Sequence, residues 1–181
     1  MANKGQIIVI TGLPGAGKSS TSALLAQKFE KAAHIEADRI QQLIISGAEH
    51  PTIDGASPKA IDQLQLRLRN SVLLAKSFSE SGFTAIVDDI VHGNRFDQLV
   101  EDLQKESFCF IVLLRDLETL KQEWRDMNSP FAESWDWIDE DLRGNTPRVG
   151  LWLDTTNSTL TEVVEQILIR LEEGLVTVYS S

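Results

Sequence analysis

Three glycines, a lysine and two serines fall within nine residues of this chain, GLPGAGKSS at positions 12–20, directly behind the apolar run IIVI and Thr11. Glycine adopts backbone conformations that cost other residues about 1–2 kcal/mol, and it lets a ligand approach the main chain closely. The lysine adds a cation and the serines add hydroxyls at the same mouth. Residues 12–19 also fit G-x-x-x-x-G-K-[ST], in which backbone N–H groups wrap phosphates and the next helix N-terminus favours negative charge. The pattern predicts a nucleotide cradle built from Gly12, Leu13, Pro14, Gly15, Ala16, Gly17, Lys18, Ser19 and Ser20. Lys18 is expected to reach the β- and γ-phosphates of ATP, and the Ser19 hydroxyl to ligate Mg²⁺. The plainer reading is a glycine-rich turn joining strand to helix. A dinucleotide site with Glu36 as its ribose acid is excluded. Its G-x-G-x-x-G fingerprint spaces the glycines differently and leaves Lys18 and Ser19 without a use.

Three carboxylates accompany the loop. Asp38, in IEADRI, can orient a hydroxyl for in-line attack on a phosphoryl group. It can equally cap the helix that follows, a role worth about 1 kcal/mol. Asp88 and Asp89 end the apolar run FTAIVDD. Adjacent strand residues point to opposite faces, so the two are not expected to serve one ion. Their alternative use is to cap the next helix.

The elements that must position these groups alternate. Strands are predicted at 6–11, 32–36, 83–89, 108–114 and 149–155. Helices are predicted behind the glycine loop and over 38–46, 57–81, 94–105, 116–127 and 159–173. Leu24, Leu25 and Phe29 give the first helix its apolar spacing, and Ile61, Leu64, Leu68 and Val72 mark one face of the long one. Residues 47–58 are rich in turn formers, and 128–148 are polar. Such alternation predicts an α/β fold with a parallel sheet covered on both faces. Ligands of such sheets bind beyond the carboxyl ends of the strands, where all these polar clusters fall.

The 181 residues suit one domain, and 42% hydrophobic with 24% charged residues is an ordinary globular composition. A formal charge of −10 argues against gripping a nucleic-acid backbone. No apolar run approaches the roughly 18 residues of a membrane span. Cys109 is the single cysteine, sits in an apolar strand and reads as a buried small hydrophobe, so a reducing cytoplasm is the expected compartment. His34, His50 and His92 share no metal-ligand spacing, and His92 reads as a loop residue near Asp88–Asp89. Arg67 and Arg69 are two apart on the long helix, so one at most turns toward a cleft. Trp135 and Trp137 either close over a ligand or pack on the rim of the sheet.

These motifs together resemble the small phosphotransferases of the P-loop kinase group. The pattern is similar to the chloramphenicol phosphotransferase family and, more distantly, to the kinase domain of polynucleotide 5′-kinases. The resemblance implies a five-stranded parallel sheet of the nucleotide-kinase type in a single domain, with a lid segment at about 125–148. It implies ATP and Mg²⁺ as cofactors and a small-molecule hydroxyl as acceptor. Asp38 would accept the hydroxyl's proton, Asp89 would serve the metal, and Asp88 would contact substrate. Arg125, in EWRDMNSP, stands where the first lid arginine lies in such kinases. The usual second one a turn later is absent, leaving Arg143 and Arg148 as substitutes. Thr155, in the DTT after the last strand, would lie beside the adenine or help cap the final helix. Gln41 occupies the place where end-kinases hold a nucleic-acid phosphate with arginine, which again disfavours that substrate. A nucleotide-hydrolysing regulatory module without an acceptor is the second reading, and the absence of N-K-x-D disfavours GTP.

Overall fold

A computed structural model describes residues 4–52, 55–104, 106–127, 136–174 and 177–178. β1 (Ile7–Gly12) is buried at all six positions, as an apolar strand is when helices cover both faces of its sheet. There follow α1 (Lys18–Ala26), β2 (Ala32–Glu36), α2 (Ala37–Gln41), α3 (Pro58–Glu80), β3 (Thr84–Asp88) and α4 (Asn94–Leu103). The chain continues with β4 (Phe108–Leu114), α5 (Leu117–Asp126), α6 (Asp136–Gly144), β5 (Leu151–Asp154), α7 (Leu160–Glu172) and β6 (Thr177–Val178). Five parallel strands lie in the order β2-β3-β1-β4-β5, as the alternation predicts. The short β6 adds an antiparallel pairing, Phe108 with Val178 and Cys109 with Thr177.

Successive strand residues divide the core into two layers. Ile7, Val9, Phe108 and Phe110 pack with Leu68 and Val72 of α3 and Phe96 and Leu99 of α4. Ile8, Ile10, Cys109 and Ile111 pack with Leu25 of α1, Leu120 and Trp124 of α5, and Val163 and Ile167 of α7. Helix α6 straddles the two, giving Ile138 to one layer and Leu142 to the other. Local chemistry starts the long elements cleanly. Ser57 accepts from the Ala60 N–H with Pro58 in the first turn of α3, and Thr159 and Glu162 form a reciprocal capping box on α7. No helix among the described residues is long and apolar enough to cross a membrane.

Three sequence expectations shift. The helix expected over 38–46 ends at Gln41, and Leu43 and Ile45 beyond it are exposed. Ile61 lies in the first turn of α3 and remains exposed, while Leu68 and Val72 are buried. The polar stretch before β5 contains α6.

The turn into β5 is tightly bound to its neighbour. Gly150 has φ +71°, and a β-carbon there would lie 2.2 Å from the Phe110 carbonyl oxygen. Gly150→Ala therefore combines left-handed strain with a backbone clash, and is expected to cost about 2–4 kcal/mol. Urea denaturation should show a lower midpoint with an unchanged slope.

Candidate active site

The loop between β1 and α1 is fixed from below and open above. Leu13 and Ala16 are buried in the core layer beneath α5, and the Ala16 N–H donates to the Leu13 carbonyl. Gly17 closes the loop at φ +87°, a left-handed conformation in which it precedes α1. No side chain caps α1 and no acidic residue sits in its first turn, so its leading N–H groups have no intrahelical partner. Arg115 braces the loop from outside, donating to the Gly15 carbonyl while paired with Glu123. The Lys18 ammonium donates to the Leu13 carbonyl at 3.0 Å. Burial pushes its pKa down, Asp88, Asp38 and Asp89 push it back up, and Arg67 lowers it further; the net shift is downward. A polyphosphate over the first turn of α1 would meet unpaired amides and a poorly solvated cation.

β1 and β3 are neighbours, with Ile10 opposite Asp88, so the end of β3 stands beside the loop. The Ser19 hydroxyl donates to Asp88 Oδ1 at 3.3 Å, and His34 Nε2 on β2 lies 2.5 Å from Asp88 Oδ2. A hydroxyl and a carboxylate side by side are the hard oxygen donors that Mg²⁺ takes, so these residues fit that ion. Among the described residues no group of three or more His, Cys, Asp or Glu could hold a metal. A cation here would therefore complete its shell with phosphate oxygens and water. The sequence reading gives the metal to Asp89, yet Asp88 is the carboxylate beside Ser19. Asp89 is one step beyond the strand and turns the other way. Its carboxylate is 1% exposed and accepts from Arg67 Nη2, from Arg95 Nη2 at 3.0 Å and from the Ile90 N–H at 2.7 Å.

Asp38 projects from the first turn of α2, its side chain 86% exposed, and accepts from Arg67 Nη1 at 3.1 Å. It is not the helix cap: that position is Glu36, which makes no side-chain capping bond. A cleft of about 910 Å³ is lined by the glycine loop together with Asp38, Asp88, Asp89, Arg67 and Arg95. The cleft is also lined by His50, Pro51 and Thr52 from the loop before α3, with Leu64, Ile90, His92, Trp137 and Ile138. Nδ1 of His92 pairs with Asp141 of α6, and its ring meets Trp137 edge to face. Burial leads in lowering the His92 pKa. Of the two tryptophans, Trp137 is thus at the cleft and Trp135 lies outside the described residues.

Other expected site residues stand apart. Arg125 is exposed at the end of α5 and bonds to Gln122, so it does not line the cleft. Arg143 is engaged with Asp139 and the Arg115 carbonyl, and Arg148 stacks on Trp152. Both donors of Thr155 go to the Leu114 carbonyl. Gln41 is buried against Gln63. Arg69 faces solvent and Asp102, so Arg67 is the one of the pair that turns to the cleft; Arg95 also enters the cleft wall, a role the sequence reading did not assign. The signal for Arg67 was its place three residues after Leu64, on the same face of α3 as Leu68.

No protein-family model matches the chain, and no curated protein matches it in sequence. Solved structures do match in shape. The tunicamycin resistance protein of Deinococcus radiodurans is 21% identical over 96% of this chain and 98% of its own, with a TM-score of 0.69. A sugar kinase of Janibacter sp. is 17% identical over 93% and 95%, with a TM-score of 0.68. The Mycobacterium tuberculosis APS kinase in complex with AMPPNP and APS is 17% identical over 93% and 98%, with a TM-score of 0.66. The glycine loop between β1 and α1, the parallel sheet order with β3 beside β1, and these neighbours together show that the chain has the α/β fold of the P-loop small-molecule kinases.

Proposed function

We propose that this protein is an ATP-dependent kinase that transfers the γ-phosphoryl group to a hydroxyl of a small molecule. The observation that carries the reading is one cleft lined by both an uncapped glycine loop and a solvent-accessible carboxylate, Asp38. Phosphoryl transfer needs little covalent help from the protein; it needs the two oxygens held in line and the developing charge stabilised. The loop amides and Lys18 hold the polyphosphate. Ser19 and Asp88 would hold Mg²⁺, which would supply neutralising positive charge to the phosphates, and His34 holds the other oxygen of the Asp88 carboxylate. Asp38 accepts the proton of the attacking hydroxyl. The acceptor lies against Leu64, Ile90, Trp137 and Ile138, an apolar wall with His50 and His92 at its polar end. The segment at about 125–148 is assigned as the lid of a single kinase domain; residues 128–135 of it lie outside the described residues, and among the described ones Trp137 and Ile138 of α6 line the cleft. A net charge of −10 suits a small-molecule rather than a nucleic-acid acceptor, and the lone buried Cys109 suits a reducing cytoplasm.

Hydroxylated metabolites incubated with γ-labelled ATP and Mg²⁺ should yield one labelled acceptor class; release of inorganic phosphate alone under every acceptor would instead mark a hydrolysing module. Lys18→Ala should fold normally and lose thermal stabilisation by ATP, and retained stabilisation would defeat the cradle. Asp38→Asn should keep ATP affinity while transfer falls by about 10²–10⁴-fold; near wild-type transfer would remove its role as base. Asp88→Asn should raise the Mg²⁺ concentration for half-maximal ATP stabilisation by about 10-fold or more, the scale of lost metal-site contacts.

A further inference from the structure

The cleft holds three described cations, Lys18, Arg67 and Arg95, and none of them comes from the lid. Arg125 is on the outer surface with Gln122, and Arg143 is bound to Asp139. Arg67 instead stands on α3, which gives Leu64 to the acceptor wall. We propose, resting on the kinase reading above, that Arg67 is the residue that neutralises charge on the phosphoryl group in flight, in place of a lid arginine.

The wiring of the guanidinium supports this. One edge is locked: Nη2 binds Asp89, which is itself fixed by Arg95 and the Ile90 N–H. The other edge is replaceable, because Nη1 binds Asp38, whose side chain is open to the cleft. Two guanidiniums on one buried carboxylate leave a surplus positive charge in the wall. Burying such a surplus is costly unless something negative offsets it. Asp38 does so from the acceptor side. Arg67 also lies close enough to Lys18 for the two charges to oppose each other. It is therefore flanked by the residue that marks the donor and the residue that marks the acceptor.

During transfer the acceptor oxygen bonds to the γ-phosphorus as the bond from that phosphorus to the β,γ-bridging oxygen breaks. ADP leaves with that electron pair, and the hydroxyl proton passes to Asp38. When Asp38 engages the hydroxyl, Nη1 of Arg67 is released to donate to an equatorial oxygen, while Nη2 stays in the Asp89 socket. Asp89 is then the fixed mount of that arginine.

The test needs no acceptor, because Mg²⁺-ADP with aluminium fluoride imitates the planar phosphoryl group with water in the acceptor position. Wild type should bind ADP more tightly when aluminium fluoride is present. Arg67→Lys should reduce that gain by about 10–100-fold while leaving affinity for ADP alone unchanged, and Arg125→Ala should keep it within about twofold. A wild-type gain in Arg67→Lys, or its loss in Arg125→Ala, overturns the proposal. Wild type that binds ADP but gains nothing from aluminium fluoride also overturns it, leaving the cradle intact. Failure to bind ADP at all removes the kinase reading and this inference with it. Should Arg67→Lys not fold, unmodified protein with ¹⁵N-labelled arginine gives a second measurement. One guanidinium signal should move on adding aluminium fluoride to the ADP complex, and no movement overturns the assignment.

Discussion

A carboxylate taken out of water must be given partners, and this chain removes two in succession. Asp88 and Asp89 are both buried, and because neighbouring residues face opposite ways they cannot share one set of donors. Asp88 draws His34 from β2 and Ser19 from α1; Asp89 draws Arg67 from α3 and Arg95 from α4. Satisfying the pair thus ties together four elements around the end of one strand. The arrangement also separates partners by direction: the Ser19 hydroxyl and the His34 imidazole on Asp88, guanidiniums on Asp89.

The same division explains why Asp38 can be both held and available. Its carboxylate is mostly in solvent, so it has no desolvation penalty to offset, and its single ion pair with Arg67 is easily exchanged for a ligand. A carboxylate buried like Asp89 has no such freedom.

The sequence made the fold legible where pattern and chemistry coincide. GLPGAGKSS behind a β-branched run marks the loop, and alternating apolar runs mark the five parallel strands. Asp38, Asp88 and the loop meet at one edge of the sheet because strands of a parallel sheet all end on the same side. What stayed hidden depended on long-range facing. Arg67 is an arginine on an amphipathic helix until its partners, 29 and 22 residues away, are brought beside it. His34 reads as any strand residue, because its spacing to Asp88 carries no local signal. Helix α6 is masked by its acidic residues, and only the four-residue step from Ile138 to Leu142 betrays a buried side. β6 has two residues, too few for any period to show.

That small strand matters for how molecules of this protein meet. β4 runs seven residues and β5 only four, so at its beginning β4 would present unpaired amides and carbonyls on a flat apolar margin. Such a margin is a template onto which a strand from another molecule can zip. Thr177 and Val178 occupy it from within the same chain. That short margin of β4 is thereby closed to a strand from another molecule, at the end of the strand remote from the glycine loop.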